Sequence, residues 1–296
     1  MNNALAALAA ALIGAACASS ADPPVDAAAV VRRSLEHESL ELDPPTLPNY
    51  TYIIEDDEKK LDAKGGVKSA NVETREVLNL YGAHFERLVR RNGQDLPPEK
   101  ARAEQARFDK SVEKARQRLE RFQAQQTPQK KAALEQAIQK AKAKKAMCDE
   151  EFLKMFDVRV AASEELSGRG AWKVELHPHS DPHPAAACGG DLKILSKFLI
   201  KLWIDREEYR WARFEAVNLA PVSIGKVLIR VPTGDLYFLY EQTRHEDGEW
   251  LTSRDRVKGY MKIMLAAPYR VDETETYSRY RKFQAESRIL TDEKGK

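Results

Sequence analysis

The stretch KFLIKLWIDREEYRWARFEAV, residues Lys197–Val217, decides the fold. Apolar side chains in its first half alternate with more polar ones, a spacing that puts them on one face of a β-strand. These apolar residues are Phe198, Ile200, Leu202 and Ile204. The aromatic residues of its second half favour a returning strand. We therefore predict an antiparallel hairpin here, with Asp205 on the polar face.

The segment Asp205–Glu208 is the predicted turn of this hairpin. Carboxylates in turns usually remain solvated, so we expect Asp205, Glu207 and Glu208 to face water. The same expectation holds for Asp247 in a later turn.

Similar strand patterns, separated by short turn signals, recur along the chain. They cover Tyr50–Ile54, Val67–Leu80, His84–Arg91, Ala171–Leu176, Val222–Val231, Leu236–Arg244, Trp250–Leu265 and Tyr269–Tyr280. Without crossover helices between them, such strands form an antiparallel meander. A long meander must curl and have its apolar face covered, which predicts a curved half-barrel sheet.

Two helical regions accompany the strands. The segment Pro24–Leu40 has apolar residues at helical spacing and predicts an N-terminal helix. The segment from residue 97 to about 156 is rich in Glu, Lys, Arg, Gln and Ala, and Thr127–Pro128 divides it into two helices. Its sparse apolar residues predict a charged helical hairpin that projects from the sheet or lies over it. The fold class is therefore α+β, with one domain over residues 22–296.

The bulk charge gives no reason to expect nucleic-acid binding, because 48 basic residues nearly balance 46 acidic ones. A lysine run at residues 140–145 of the predicted hairpin could touch nucleic acid or anionic lipid. We expect instead that these lysines simply form the water-exposed face of a helix.

The first 21 residues resemble a secretory signal peptide, since a short apolar run, Ala4–Ala16, is followed by small residues. Cleavage is expected after Ala18 or Ala21. The sequence Gly14–Cys17 is also similar to a bacterial lipobox, although Gly14 stands where leucine is usual. Cys17 is therefore a candidate lipidation site, and we expect an exported protein, either periplasmic or associated with the outer membrane.

Cys148 and Cys188 remain after such processing. An oxidising compartment permits a disulfide between them, but their positions, at a helix end and in a loop, do not require one. We expect free thiols.

The loop sequence HPHSDPH contains the densest cluster of metal-ligand types, His177, His179 and His183 with Asp181. The intervening prolines and the lack of a marked distant ligand favour adventitious metal binding over a specific site. The sequence also lacks a G-x-S-x-G nucleophile motif, a P-loop and a G-x-G-x-x-G motif. We therefore expect a protein that is not an enzyme and that uses no cofactor.

Aromatic and apolar residues of the predicted strands are candidates for a ligand cavity inside the curved sheet. The candidates are Trp172, Phe198, Leu202, Trp203, Trp211, Phe214, Phe238 and Tyr240. Alternation alone does not separate residues that fill a core from residues that line a cavity, because both use the same face.

Several short motifs resemble those of the outer-membrane lipoprotein-sorting (LolA/LolB-like) superfamily. They are LWID at Leu202–Asp205, RFE at Arg213–Glu215 and EQTRHEDGEWL at Glu241–Leu251. Tyr50–Tyr52, Glu86–Leu88 and Tyr277–Phe283 extend the resemblance over nearly the whole mature chain, toward uncharacterised exported bacterial proteins. The resemblance implies an unclosed antiparallel half-barrel with helices in an apolar cavity, and members that shield lipoprotein acyl chains. The charged hairpin departs from that pattern.

These observations leave three functional hypotheses. The first is a carrier or chaperone-like protein of the cell envelope that binds a lipid, an acyl chain or a lipidated protein. The second is a non-catalytic interaction module that binds an envelope partner through residues 97–147. The third, a metal-dependent hydrolase at the His177 loop, has the least support. Peripheral membrane association is compatible with the first two.

Overall fold

The computed structural model describes residues 25–38, 49–62, 64–188, 190–224, 229–263 and 269–283. The predicted signal peptide and Cys17 lie outside these residues. Among the helices that are described, none is both long enough and apolar enough to cross a membrane.

The N-terminal helix and four strands come first in the chain. They are α1 (Ala27–Leu35), β1 (Tyr50–Leu61), β2 (Val67–Leu80), β3 (Ala83–Arg91) and β4 (Gln94–Asp95). Asp26 caps α1, because its side chain accepts a hydrogen bond from the backbone N–H of Ala29 at 3.1 Å. Within the described residues, α1 is shorter than the predicted Pro24–Leu40.

The helical insertion and the central strands follow. They are α2 (Pro98–Ala124), α3 (Pro128–Leu153), β5 (Phe156–Leu166), β6 (Arg169–Pro178), α4 (Gly190–Leu195), β7 (Phe198–Asp205) and β8 (Trp211–Asn218). The last strands are β9 (Val222–Ile224), β10 (Ile229–Val231), β11 (Leu236–Arg244), β12 (Trp250–Ile263) and β13 (Tyr269–Lys282). The predicted strand Val222–Val231 is thus two short strands that pair with each other.

The described strands form one large antiparallel sheet. Eleven of them follow the order β4-β3-β2-β1-β13-β12-β11-β8-β7-β6-β5, and β10 joins the side of β12. The sheet is curved and does not close into a barrel. The chain is therefore an α+β protein with a curved antiparallel sheet, as the sequence predicted.

The hairpin of β7 and β8 lies in the most deeply buried part of the sheet. Leu202 pairs with Phe214, and Ile200 pairs with Ala216. The alternating residues predicted to share a face are all buried, at 2% exposure or less. This face and α1 belong to one continuous hydrophobic core.

Asp205 does not face water, contrary to the sequence prediction. It is 1% exposed, and the Arg169 guanidinium donates to both of its carboxylate oxygens at 2.7 and 2.9 Å. The backbone N–H groups of Glu207 and Glu208 donate to Oδ1 at 3.0 and 2.7 Å. Burial opposes ionisation of Asp205, but these donors outweigh it and hold its pKa below the usual value. The turn is built around this carboxylate, whereas Glu207 is exposed as expected.

The helical insertion connects β4 and β5, the strands at the two ends of the sheet order. Thr127 caps α3 as predicted, and Pro128 occupies its first turn. α2 has no buried residue, and the buried residues of α3 are Phe152 and Leu153 at its end. α2 lies along β3, where the rings of Phe108 and Phe85 are 6.3 Å apart.

The end of α3 is joined covalently to the loop before α4 by a disulfide between Cys148 and Cys188. The expectation of free thiols is therefore wrong. The last turns of α3 and the loop lie side by side, since the Glu151 carboxylate accepts a hydrogen bond from the backbone N–H of Ala185 at 3.0 Å. This proximity arises from the fold and is not visible in the sequence around either cysteine.

Replacing both cysteines, as Cys148→Ser with Cys188→Ser, is expected to lower the free energy of unfolding by about 4 kcal/mol. The crosslink closes a loop of 40 residues and so restricts the unfolded chain. This difference in unfolding free energy is measured by urea unfolding of the variant, of the oxidised protein and of the reduced protein. The reduced protein should match the variant. Equal midpoints for the oxidised and reduced protein would contradict the prediction.

Candidate functional site

The curved sheet has two faces with different surroundings. We call the side on which α1 lies the inner face; it carries Val174, Leu202 and Phe238. The opposite side, the outer face, carries Trp203 and Tyr237. Strand pairing fixes this assignment, because directly paired residues of neighbouring strands lie on the same face.

Seven of the eight predicted cavity residues lie on the inner face. Phe198, Leu202 and Trp211 are buried in the core, while Trp172, Phe214 and Phe238 are partly buried against it. Tyr240, the seventh, is paired with Phe214 and follows the same side of the sheet.

Trp203 is the exception, since it lies on the outer face. Its indole N–H donates to the Glu164 carboxylate at 2.7 Å, and the cationic groups of Lys173 and Arg213 lie 5.0 and 5.2 Å from the ring centroid. The physical reason is alternation: Leu202 and Ile204 point inward, so the residue between them points outward. Trp203 is buried by long charged side chains, not by the core.

The apolar part of the inner face, formed by β5 to β8 and β11, is covered by α1. Val31 and Leu35 of α1 are fully buried against it. The Trp211 indole N–H donates to the Ser34 hydroxyl at 2.8 Å, a buried hydrogen bond between sheet and helix. This part of the inner face is therefore filled by a segment of the chain itself.

Polar contacts hold the C-terminal end of α1 and the residues just after it. Arg32 forms an ion pair with Glu150 of α3 at 2.6 Å, with both side chains nearly half exposed. Lys145 of α3 donates to the carbonyl of Leu35. Just after the helix, the buried Glu38 carboxylate pairs with Arg210 at 2.7 Å. Burial raises the pKa of Glu38, against the attraction of Arg210.

The rest of the inner face, formed by β12, β13, β1 and β2, is rich in tyrosines and carboxylates. Tyr52 stacks on Tyr280 with ring centroids 4.8 Å apart, and burial raises the pKa of Tyr52 to about 12. The Tyr277 hydroxyl lies 2.9 Å from Asp255 Oδ2 and 2.7 Å from Glu275 Oε2. This tyrosine–carboxylate region was not predicted, although strand alternation from Tyr52 and Ile54 would have placed Asp56 on the same face.

Three carboxylates of this region, on Asp56, Glu273 and Glu275, have oxygens within 4.8 Å of one another. The Arg75 guanidinium donates to Asp56 at 2.5 Å and to Glu275 at 3.2 Å, so an internal cation neutralises part of the cluster. Burial raises the pKa of Asp56, and burial together with Asp56 raises that of Glu273. Carboxylates that are close together and partly buried repel one another and lose hydration, so this arrangement is unfavourable for folding.

The three histidines of the predicted metal cluster do not come together as a ligand set in the part of the chain that the structure describes. The His177 ring contacts Glu175 at 3.2 Å, and the His179 ring contacts Asp157 at 3.2 Å. His183 lies 2.8 Å from a backbone carbonyl. The hydrolase hypothesis gains no support from this geometry.

Asp255 gives a testable prediction, because burial raises its pKa to about 7. Between about pH 4 and pH 7 the unfolded state loses this proton while the folded state keeps it, so stability falls as pH rises. Asp255→Asn removes the penalty. We expect the variant to be more stable than the original by up to about 4 kcal/mol at pH 8, and equal to it near pH 4.

Denaturant unfolding at a series of pH values measures this difference. The matched control is Asp181→Asn, at a site with an 86% exposed side chain, which should leave the pH dependence unchanged. If the stability of Asp255→Asn ran parallel to that of the original protein from pH 4 to pH 8, the raised pKa would be refuted.

Comparisons with known proteins give similar structures only. Family models and curated proteins give no match to this chain. A LolA superfamily protein from Nitrosomonas europaea is 10% identical, with a TM-score of 0.31 over 90% of this chain and 98% of that one.

Two further solved structures are similar. A putative outer membrane lipoprotein-sorting protein domain from Vibrio parahaemolyticus is 9% identical, with a TM-score of 0.30 over 86% of this chain and 92% of that one. A DUF1329 family protein from Desulfovibrio piger is 9% identical, with a TM-score of 0.28 over 88% of this chain and 94% of that one. The first two carry the name of the superfamily that the sequence resembles; superpositions this loose transfer neither a ligand nor a site.

Proposed function

We propose that this chain is an exported, non-catalytic carrier that binds the acyl chain of a lipid or of a lipidated protein on the apolar part of its inner face. One observation carries the proposal: that surface is covered by α1, a helix of nine residues, and some aromatic side chains packed against the same core are only partly buried. These aromatic residues are Trp172, Phe214 and Phe238.

The size and chemistry of α1 support this function. A helix of nine residues is about 14 Å long, a length that an extended acyl chain also covers. The face that α1 buries is apolar apart from Ser34. Exchange of α1 for an acyl chain would keep the sheet residues out of water, so the hydrophobic cost of displacement is limited to the apolar face of the helix itself.

Two of the polar contacts in the C-terminal half of α1 are weak enough to be compatible with its displacement. The Arg32–Glu150 pair is about half exposed, and such pairs contribute about 0–1 kcal/mol. The buried Ser34–Trp211 hydrogen bond is a single neutral contact, worth about 1 kcal/mol. Hydrophobic burial is thus the main interaction that holds α1 on the sheet. An acyl chain would bury the same sheet residues.

Export is part of the proposal and depends on the predicted signal peptide. A periplasmic or outer-membrane location would give the carrier access to lipids and lipidated proteins. The same start of the chain leaves lipidation at Cys17 as a second way to associate with a membrane.

Native mass spectrometry of the purified protein tests the carrier function. We expect a bound mass in the lipid range, or saturable uptake of an added fatty acid. Phe238→Ala should weaken that binding by roughly tenfold, since losing an aromatic contact of about 1.4 kcal/mol changes affinity by that factor.

Trp203→Ala is the matched control, because it removes an aromatic side chain of the same sheet from the outer face. It should leave fatty-acid binding unchanged. Circular dichroism verifies that both variants fold. A protein that stays free of ligand at saturating fatty acid, or equal losses in the two variants, would rule the carrier function out.

A second candidate function is an interaction module of the envelope, and exposed apolar residues on the insertion favour it. Phe122, Leu134, Ile138 and Met147 are 42–51% exposed. They lie on α2 and α3, whose other residues are mainly charged residues, alanine and glutamine. Leu134 and Ile138 lie four residues apart on one face of α3, and neighbouring exposed apolar side chains can mark a surface that binds another protein.

The variant Phe122→Gln with Leu134→Gln and Ile138→Gln tests this function. Glutamine is a good helix former, so the midpoint temperature of thermal unfolding should change little. Chemical crosslinking in the envelope fraction should lose a specific adduct in this variant. The control Lys140→Gln with Lys144→Gln should retain the adduct. Persistence of the adduct in the apolar variant would exclude these residues as the binding surface.

A further inference from the structure

A second concave feature lies on the outer face, away from the carrier surface. It is a cleft of about 420 Å³ where β11, β12 and β13 meet the turn at Gly234. Its charged and aromatic walls are formed by Tyr237, Arg256, Lys258, Tyr260 and Arg270. Neither proposed function uses these residues.

Strand register brings the residues of the cleft together. Tyr237 of β11 is paired with Lys258 of β12, and Tyr260 of β12 is paired with Arg270 of β13. Arg256 lies two residues before Lys258 on the same face of β12. Three cations and two phenols from three adjacent strands therefore share one patch of the outer face.

The cations of the cleft exceed its carboxylates. Arg256 is held by Asp272 through two hydrogen bonds of 2.8 Å. Among the described residues, Lys258 and Arg270 form no ion pair, and Asp235 is the acidic residue of the cleft wall. The cleft is thus positive even with Asp272 counted.

The Arg270 side chain packs on a tyrosine ring, but one of its N–H groups has no hydrogen-bond acceptor. Its guanidinium lies over the Tyr260 ring, 4.8 Å from the centroid. Its Nε atom is buried and, within the described part of the chain, has no hydrogen-bond partner. A buried guanidinium N–H without an acceptor is costly, and a bound anion would supply one.

We propose that this cleft binds a phosphate monoester, either a soluble one or the headgroup of a lipid. Arg270 offers planar N–H donors that match phosphate oxygens, Arg256 adds the N–H groups that Asp272 does not take, and Lys258 adds a point charge at the rim. The phenol groups of Tyr237 and Tyr260 supply hydroxyl donors and flat walls. The site is independent of the carrier function, because it lies on the opposite face of the sheet.

Two binding measurements on the purified full chain test the proposal. The first is isothermal titration with inorganic phosphate at fixed ionic strength. The second is flotation with phosphatidylcholine vesicles that contain or lack phosphatidic acid. Phosphate binding without a gain from phosphatidic acid indicates a soluble ligand. Phosphate binding with selective flotation indicates a lipid headgroup.

The variant Lys258→Gln with Arg270→Gln should weaken phosphate binding at least tenfold. The matched control is Arg254→Gln with Lys201→Gln, which removes the same charge from the outer face outside the cleft. It should bind phosphate like the original protein. If phosphate binding weakened equally in both variants, the loss would come from net charge alone, and the proposed site would be wrong. The proposal would also be wrong if the protein bound neither phosphate nor phosphatidic acid. Circular dichroism verifies that each variant folds.

Discussion

The structure depends on one constraint: a curved sheet that does not close must have its apolar inner face covered. A closed barrel would satisfy this with its own side chains. Here α1 covers the apolar part, and the Trp211–Ser34 hydrogen bond fixes where the helix lies. The end of α3 completes the cover with Phe152 and Leu153, and the Cys148–Cys188 disulfide keeps that end in place.

The inner face is divided along the sheet into two chemically different parts. The part under α1 is apolar, whereas the part formed by β12, β13, β1 and β2 collects tyrosines and carboxylates. Only Arg75 lies among the cluster of Asp56, Glu273 and Glu275 as a cation, within the described residues. Dense acid groups at low exposure destabilise the folded state near neutral pH.

Local patterns in the sequence determined most of the strands. The alternation in Phe198–Ile204 and the Thr127–Pro128 helix start involve neighbouring residues, and both were predicted. The features that were missed depend on distant partners. Asp205 looks like an ordinary turn residue until Arg169, 36 residues away, is seen to contact it. Trp203 was assigned to the wrong face because aromatic character outweighed alternation, and the disulfide joins segments whose proximity only the fold creates.

The pairing of β1 with β13 has a consequence for how the chain is made. β1 pairs with β2 along one edge and with β13 along the other. In the second pair Ile54 lies opposite Tyr277, which is more than two hundred residues later in the chain. β13 is the last of the described strands along the chain, and until it is synthesised β1 and β2 form a hairpin with a long open edge. Such edges recruit other strands. The full pairing of β1 can therefore form only after β13 has been synthesised, and until then its open edge must be kept from pairing with other strands.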